Sequence, residues 1–469
     1  MQARHERTLS RAGAAACGLG LVAVVAIVWR GAEAQALNVP YQSFTLDNGL
    51  KVILHEDHKV PVATVNIWYH VGSGDEKPGR TGFAHLFEHI MFMGSQHVPT
   101  GQFDKLLEAA GADNNASTNE DRTNYYEDGP VNAIPLMLWL DSDRMGFLLP
   151  EITPDKVDIQ RGVVENERRQ SYENQPYGLA EENILSRLYP AGHPYHWPVI
   201  GSMKDLEAAT ISDVREFFKR YYTPSNATMC VAGDIRPEEM REWVTKYFRD
   251  IPRGPKITRP TAPPFTLASD VYGTLEDRVQ VPRVYDAWHT QKAFGSDDAA
   301  LQVMGDVLGG GKSSRLYKRL VYQLQIANQV AAYQDGNRLD GKFVVFATAK
   351  PGHDLNQLQR VVDEEVKKLA ESGPTARELE RVKNSTEAEF IGAMEQVGGF
   401  NGKANQLNYY EYFLGEPDSF EADLDRYRAV TAADVQRVAR QYLTQAKRVV
   451  LSVVPQGQTK LAATRGDQP

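Results

Sequence analysis

Cysteine is nearly absent. The 469 residues contain two, Cys17 and Cys230. That excludes a disulfide scaffold and any cysteine-rich metal site. A basic excess is missing too: 52 Lys and Arg stand against 61 Asp and Glu, a net charge of −9. Nucleic acids and anionic membranes recruit basic surfaces, so neither is an expected partner of the chain. Beyond the amino terminus no apolar run approaches the roughly eighteen residues of a membrane span. What remains is globular in composition, 42% hydrophobic and 24% charged. At about 150 residues per domain its length suits two to four domains.

The one long apolar run is terminal. Arg4, Arg7 and Arg11 precede residues 12–29, which carry no charge, and Ala32-Glu33-Ala34-Gln35-Ala36 follows closely. A basic start, an apolar stretch and an Ala-x-Ala site predict a signal peptide over residues 1–34, cleaved after Ala34 or Ala36. The mature protein is then expected to be exported, to a periplasm in the simplest case. If the segment is kept, it becomes a membrane anchor, and only then is a membrane a partner. A mitochondrial presequence fits the continuous apolar core poorly. Cleavage removes four arginines and two glutamates, which takes the net charge from −9 to −11 and leaves Cys230 alone.

Residues 251–264 hold five prolines in fourteen positions, which no helix interior or central strand accommodates. This predicts a connector over 252–272 between two halves, 37–251 and 273–460. The halves read as weak copies. Ala63-Thr64-Val65-Asn66-Ile67-Trp68-Tyr69 alternates like a strand, as does Arg283-Val284-Tyr285-Asp286-Ala287-Trp288-His289. Pro154 and Pro374 each open a polar helical segment with an arginine seven residues on, Arg161 and Arg381. Strands alternating with amphipathic helices predict an α+β chain, with each half a sheet covered by helices.

The strongest motif is His85-Leu86-Phe87-Glu88-His89. Residues four apart on a helix lie about 40° apart around its axis, so both imidazoles share a face and can bind one Zn²⁺. Glu88 lies on the same side and can reach a water there without being a ligand. This is the metalloprotease helix motif in inverted order. A catalytic zinc takes a third protein ligand. The candidates lie in Arg161-Gly162-Val163-Val164-Glu165-Asn166-Glu167-Arg168-Arg169, and spacing alone does not choose between the two acids.

With Phe44-Thr45-Leu46-Asp47-Asn48-Gly49-Leu50, Asn115-Ala116-Ser117-Thr118 and Asn166-Glu167-Arg168-Arg169-Gln170, the chain resembles the pitrilysin/insulinase family of inverted-motif zinc peptidases. That family includes the mitochondrial processing peptidases, and the resemblance covers nearly all of the mature chain. It implies two homologous halves, each an antiparallel-rich sheet covered by helices, together forming half of a clamshell. One Zn²⁺ per chain would sit on His85, His89 and Glu167, with Glu165 the runner-up for the third ligand. Glu88 would be the general base. Asn115 and Ala116 would flank an extended peptide substrate on an edge strand. Where the family often carries another acid, seven residues before the distal ligand, this chain has Gln160.

The resemblance also exposes a gap. Single-chain relatives carry an arginine, and seven residues later a tyrosine, that bind the substrate carbonyl. An ungapped match places Val321 and Asn328 there. Valine has no donor, and asparagine lacks the phenol. The expectation is therefore a zinc endopeptidase acting on extended or unfolded peptides, paired with a homologous subunit that lacks the zinc motif and supplies the missing pair. The alternative is a non-catalytic assembly subunit of the same family. A peptide-binding protein is weaker, since binding needs no Glu88 beside two ligand histidines. Gly309-Gly310-Gly311-Lys312-Ser313 is not a phosphate loop, because the required earlier glycine is Asp306.

Overall fold

Two sheets organise the chain in a computed structural model that describes residues 37–464. The proposed signal segment lies outside the described residues. The first sheet has six strands: β1 (Gln42–Thr45), β2 (Lys51–Glu56), β3 (Val62–Tyr69), β4 (Asp113–Thr118), β5 (Thr123–Pro130) and β6 (Ala227–Gly233). Their order is β1-β2-β6-β3-β5-β4. The second has five: β7 (Val271–Asp277), β8 (Arg283–Thr290), β9 (Ala327–Gly336), β10 (Gly341–Ala349) and β11 (Arg448–Pro455), in the order β7-β11-β8-β10-β9.

Apart from β1, the two orders match strand for strand. In each sheet one parallel pair, β2–β6 or β7–β11, precedes antiparallel neighbours. The segments read as copies, β3 and β8, occupy the same place in each sheet. The helices repeat as well. Thr153 caps the helix Pro154–Arg168, and Thr375 caps the helix Ala376–Ala393; each hydroxyl accepts the amide three residues on. These caps equate Thr153 with Thr375, a register two residues from the one suggested by Pro154 and Pro374. Residues 252–270 contain no helix or strand.

Each sheet buries its two faces differently. Val65, Ile67, Tyr69 and Tyr125 join the main core of the first half, and Val284, Trp288, Phe343 and Val345 that of the second. The opposite faces are covered by exchanged helices. The helix Ala180–Leu188, from the first half of the sequence, lays Ile184, Leu185 and Leu188 on Ala287, Val344 and Leu451 of the second sheet. The helix Lys403–Leu414, from the second half, lays Ala404, Leu407 and Tyr410 on Ile53, Cys230 and Ala232 of the first. Polar contacts fix the second exchange: Asn408 Nδ2 donates to Asn66 O at 3.0 Å, and Trp68 Nε1 donates to Asn405 Oδ1 at 2.8 Å. Two independent cores are thus a simplification. The halves interlock, and the described residues form one unit. Among them no helix is long and apolar enough to cross a membrane.

Candidate metal centre

The motif segment forms the helix Phe83–Ile90. It starts at Gly82, where φ is 87° and a Cβ would lie 2.7 Å from the Ile200 carbonyl oxygen. Glycine is the residue that tolerates both conditions. Just beyond, the buried Glu76 carboxylate accepts from the amides of Gly82 (3.0 Å) and Ala84 (2.8 Å), and from Trp197 Nε1 (3.1 Å). A carboxylate on free amides at a helix start satisfies donors that have no partner within the helix. Burial nevertheless pushes the Glu76 pKa well up, against those three hydrogen bonds. Sequence reasoning missed Glu76, because nothing local marks an acid six residues ahead of a helix as its anchor.

Leu86, Phe87 and Ile90 bury the inner face of this helix. Phe87 stacks on Phe217 and Tyr222 at 5.1 Å. That packing turns His85 and His89 together toward the helix Pro154–Arg168, their ring centroids 4.9 Å apart. On the facing helix Val157, Val164 and Arg168 point inward, and Arg168 is tied to Gly201 O and to Glu182, both at 2.7 Å. Glu167 is thereby delivered to the histidines: Oε1 lies 3.6 Å from His85 Nε2, and Oε2 lies 3.3 Å from His89 Nε2. Glu165 turns away and accepts from Arg169 at 3.3 Å. Gln160 donates to the Met93 sulfur.

Zinc fits this donor set. Ligand bonds of about 2.0–2.1 Å at tetrahedral angles put donors roughly 3.4 Å apart, close to the two separations observed. One donor atom each from His85, His89 and Glu167 lies within 4.8 Å of the others, the one such group among the described residues. Burial lowers the His85 pKa to about 4, against the pull of Glu167, so its imidazole stays neutral, as a ligand must be. His85 Nδ1 is buried and has no hydrogen-bond partner among the described residues. Two imidazoles and one carboxylate make a set with room for a further ligand, the pattern of catalytic rather than structural zinc.

Glu88 stands beside this group. Its Oε2 accepts from Thr118 Oγ1 at 2.5 Å, and burial pushes its pKa up. Glu88 and His89 line an open cleft of about 540 Å³ with Phe92, Asp104, Asn114, Asn115 and Ala116. The last three belong to β4, which is the free edge of the first sheet. Ala116 N donates to the side chain of the preceding residue, Asn115 Oδ1, at 2.8 Å.

The second half has no equivalent centre. Its helix Asp298–Gly309, in the place of the His85 helix, contains no histidine. Val321 packs on the second core, and Asn328 donates to Ala349 O at 3.3 Å. Arg319 reaches Gln323 at 3.3 Å, and Tyr322 is 76% exposed.

Two family descriptions match the chain: "Insulinase (Peptidase family M16)" over residues 51–196 and "Peptidase M16 inactive domain" over residues 208–386. The zinc protease PqqE of Helicobacter pylori is 29% identical over 445 residues, covering 93% of this chain and 98% of that protein. The crystal structure of a protease from Helicobacter pylori superposes with a TM-score of 0.81 at 27% identity, over 89% of this chain and all of that one. The periplasmic protease PqqL from Escherichia coli superposes at 0.74 and 18% identity, over 92% of this chain and 50% of that chain. The fold is therefore that of one half of a clamshell.

Proposed function

The chain belongs to the insulinase (M16) family of peptidases, and from that premise we propose that it is a zinc-dependent endopeptidase acting on extended or unfolded peptides. The observation that carries this is the convergence of His85, His89 and Glu167 beside Glu88, in a cleft bounded by a free sheet edge. His85, His89 and Glu167 would hold the metal. Zinc, when bound, supplies Lewis acidity, which acidifies water and polarises a carbonyl. The residues of the chain do the rest. The β4 backbone at Asn115 and Ala116 aligns the peptide as an added strand, an interaction largely blind to side chains. Glu88 takes a proton from the attacking water and hands it to the leaving amine.

The missing arginine and tyrosine support a further element of the proposal. The chain works beside a homologous subunit that supplies them, since Val321 and Asn328 offer no substitute. The same gap favours the second reading, a non-catalytic assembly subunit. Export follows from the basic, apolar and Ala-x-Ala pattern of residues 1–36, and amino-terminal sequencing of the mature protein checks it.

Zinc content and hydrolysis of an unfolded peptide are the deciding measurements. The expected result is one zinc per chain and cleavage that depends on a co-purified relative; equal cleavage by the purified chain alone would defeat the pairing. Glu88→Gln is expected to keep the zinc while activity falls at least about 100-fold. A zinc-free chain, or a Glu88→Gln variant as active as the parent, would overturn the proposal.

A further inference from the structure

We propose that Thr118 is the positioning residue for Glu88, joining the peptide-docking strand to the proton-transferring group. The inference rests on the peptidase reading above. Thr118 ends β4, two residues beyond Ala116 and so on the same face of the strand. Its hydroxyl has one proton and two neighbours: Glu88 Oε2 at 2.5 Å and Thr123 Oγ1 at 3.5 Å. The shorter contact takes the proton. Thr123 in turn donates to Val71 O at 2.9 Å, so the pair is pinned to the chain beyond β3.

The strand end itself is braced. Arg122 Nη1 bonds both Ser117 O (2.7 Å) and Ser117 Oγ (2.6 Å), and its guanidinium lies over the Trp68 ring at 5.2 Å. The Asn119 side chain accepts the amides of Asp121 and Arg122 at 2.9 and 2.8 Å. The β4–β5 turn is then held from both halves: Asp121 accepts from Tyr195 Oη of the first half at 2.6 Å and from Arg338 N of the second at 2.7 Å. Thr118 is thus a fixed point, whereas a glutamate side chain left to itself is mobile and loses rotamer freedom when it is held. Among the described residues Thr118 provides the hydrogen bond that holds the Glu88 carboxylate. Holding Oε2 leaves Oε1 as the oxygen free to receive a proton. Substrate and base are therefore set from one strand: Asn115 and Ala116 position the peptide, and Thr118 positions the group that acts beside it.

The test compares Thr118→Val, which keeps the shape and removes the hydroxyl, with Thr118→Ser, which keeps the hydroxyl. Both are made in the full chain, zinc-loaded and in the assembly in which it cleaves peptide. Thr118→Val is expected to bind one zinc, to keep KM within about 2-fold and to lose about 10- to 100-fold in kcat, the range for misplacing a catalytic group by about 1 Å. Thr118→Ser is expected to stay within about 3-fold of the parent. An unchanged kcat in Thr118→Val, or an equal loss in Thr118→Ser, would overturn the inference. Crystal structures of the zinc-loaded parent and of Thr118→Val give the second readout, with the Glu88 carboxylate expected to leave its position in the variant. Should the parent bind zinc but cleave nothing, the peptidase reading fails. The crystals still decide the positioning role, because a Glu88 that stays in place without the hydroxyl overturns it.

Discussion

Glu165 and Glu167 lie two residues apart on one helix, about 200° around its axis. One therefore faces the histidines when the other cannot. The orientation is set by Val157, Val164 and Arg168, which bury the inner face and leave Glu167 beside His85 and His89. In sequence both acids looked alike, and resemblance alone preferred Glu167. The histidine pair was legible because its geometry is local to one helical turn. Glu76 and Thr118 were not, because each meets its partner only after distant segments fold together. If His85, His89 and Glu167 hold the metal as proposed, removing one of them is expected to weaken zinc binding by at least about 100-fold, more than outer partners of a metal site contribute. Glu167→Gln should show that loss in a chelator competition titration, and Glu165→Gln should stay within about 2-fold. The opposite pattern would transfer the ligand role to Glu165.

Helix starts carry much of the element-scale design. Thr375 and Glu378 form a capping box at the head of the helix Ala376–Ala393. The Glu378 carboxylate also takes a two-pronged bond from Arg315, 2.8 Å on each oxygen. Burial alone would raise the Glu378 pKa, but the Arg315 bond and the Thr375 amide hold it down at about 2. A carboxyl group depressed on folding adds stability that is complete above its unfolded value, near 4.5, and that fades as pH falls toward about 2. Arg315→Met is therefore expected to lower the melting temperature at pH 7, with a gap that narrows steadily from about pH 5 to pH 2. Thermal scans across that range test it, and a gap that is constant with pH would mean that packing of the arginine, not its charge, is what matters. In sequence Arg315 is one residue of Ser314-Arg315-Leu316, with nothing nearby to mark its partner. Its part in fastening a helix 63 residues away could not be read there.

At the scale of the whole molecule, the proline-rich stretch reads as a boundary between two separable halves. The repeat behind that reading is real, since the sheets share one strand order. Separability does not follow, because an amphipathic helix does not state in its sequence which sheet it will cover. Here Ala180–Leu188 covers the second sheet and Lys403–Leu414 covers the first. Burying Ile184, Leu185 and Leu188 contributes up to about 5–9 kcal/mol at about 1.5–3 kcal/mol per side chain, which rivals the whole stability of a typical domain, about 5–15 kcal/mol. Expressed alone, residues 37–264 would expose Ile53, Cys230 and Ala232 where the Lys403–Leu414 helix belongs. They would also leave Asn66, fully buried in the intact chain, without Asn408. The connector adds to the coupling, since Arg259 binds the His70 and Asn226 oxygens of the first half while Phe265 packs on His289 of the second. Neither 37–264 nor 265–469 is expected to give a cooperative melting transition by itself, whereas the two co-expressed pieces should associate and melt as one. Circular dichroism melts and gel filtration of the separate and combined pieces decide the matter. A first half that folds cooperatively alone would show that the exchanged helices decorate the halves and do not complete them.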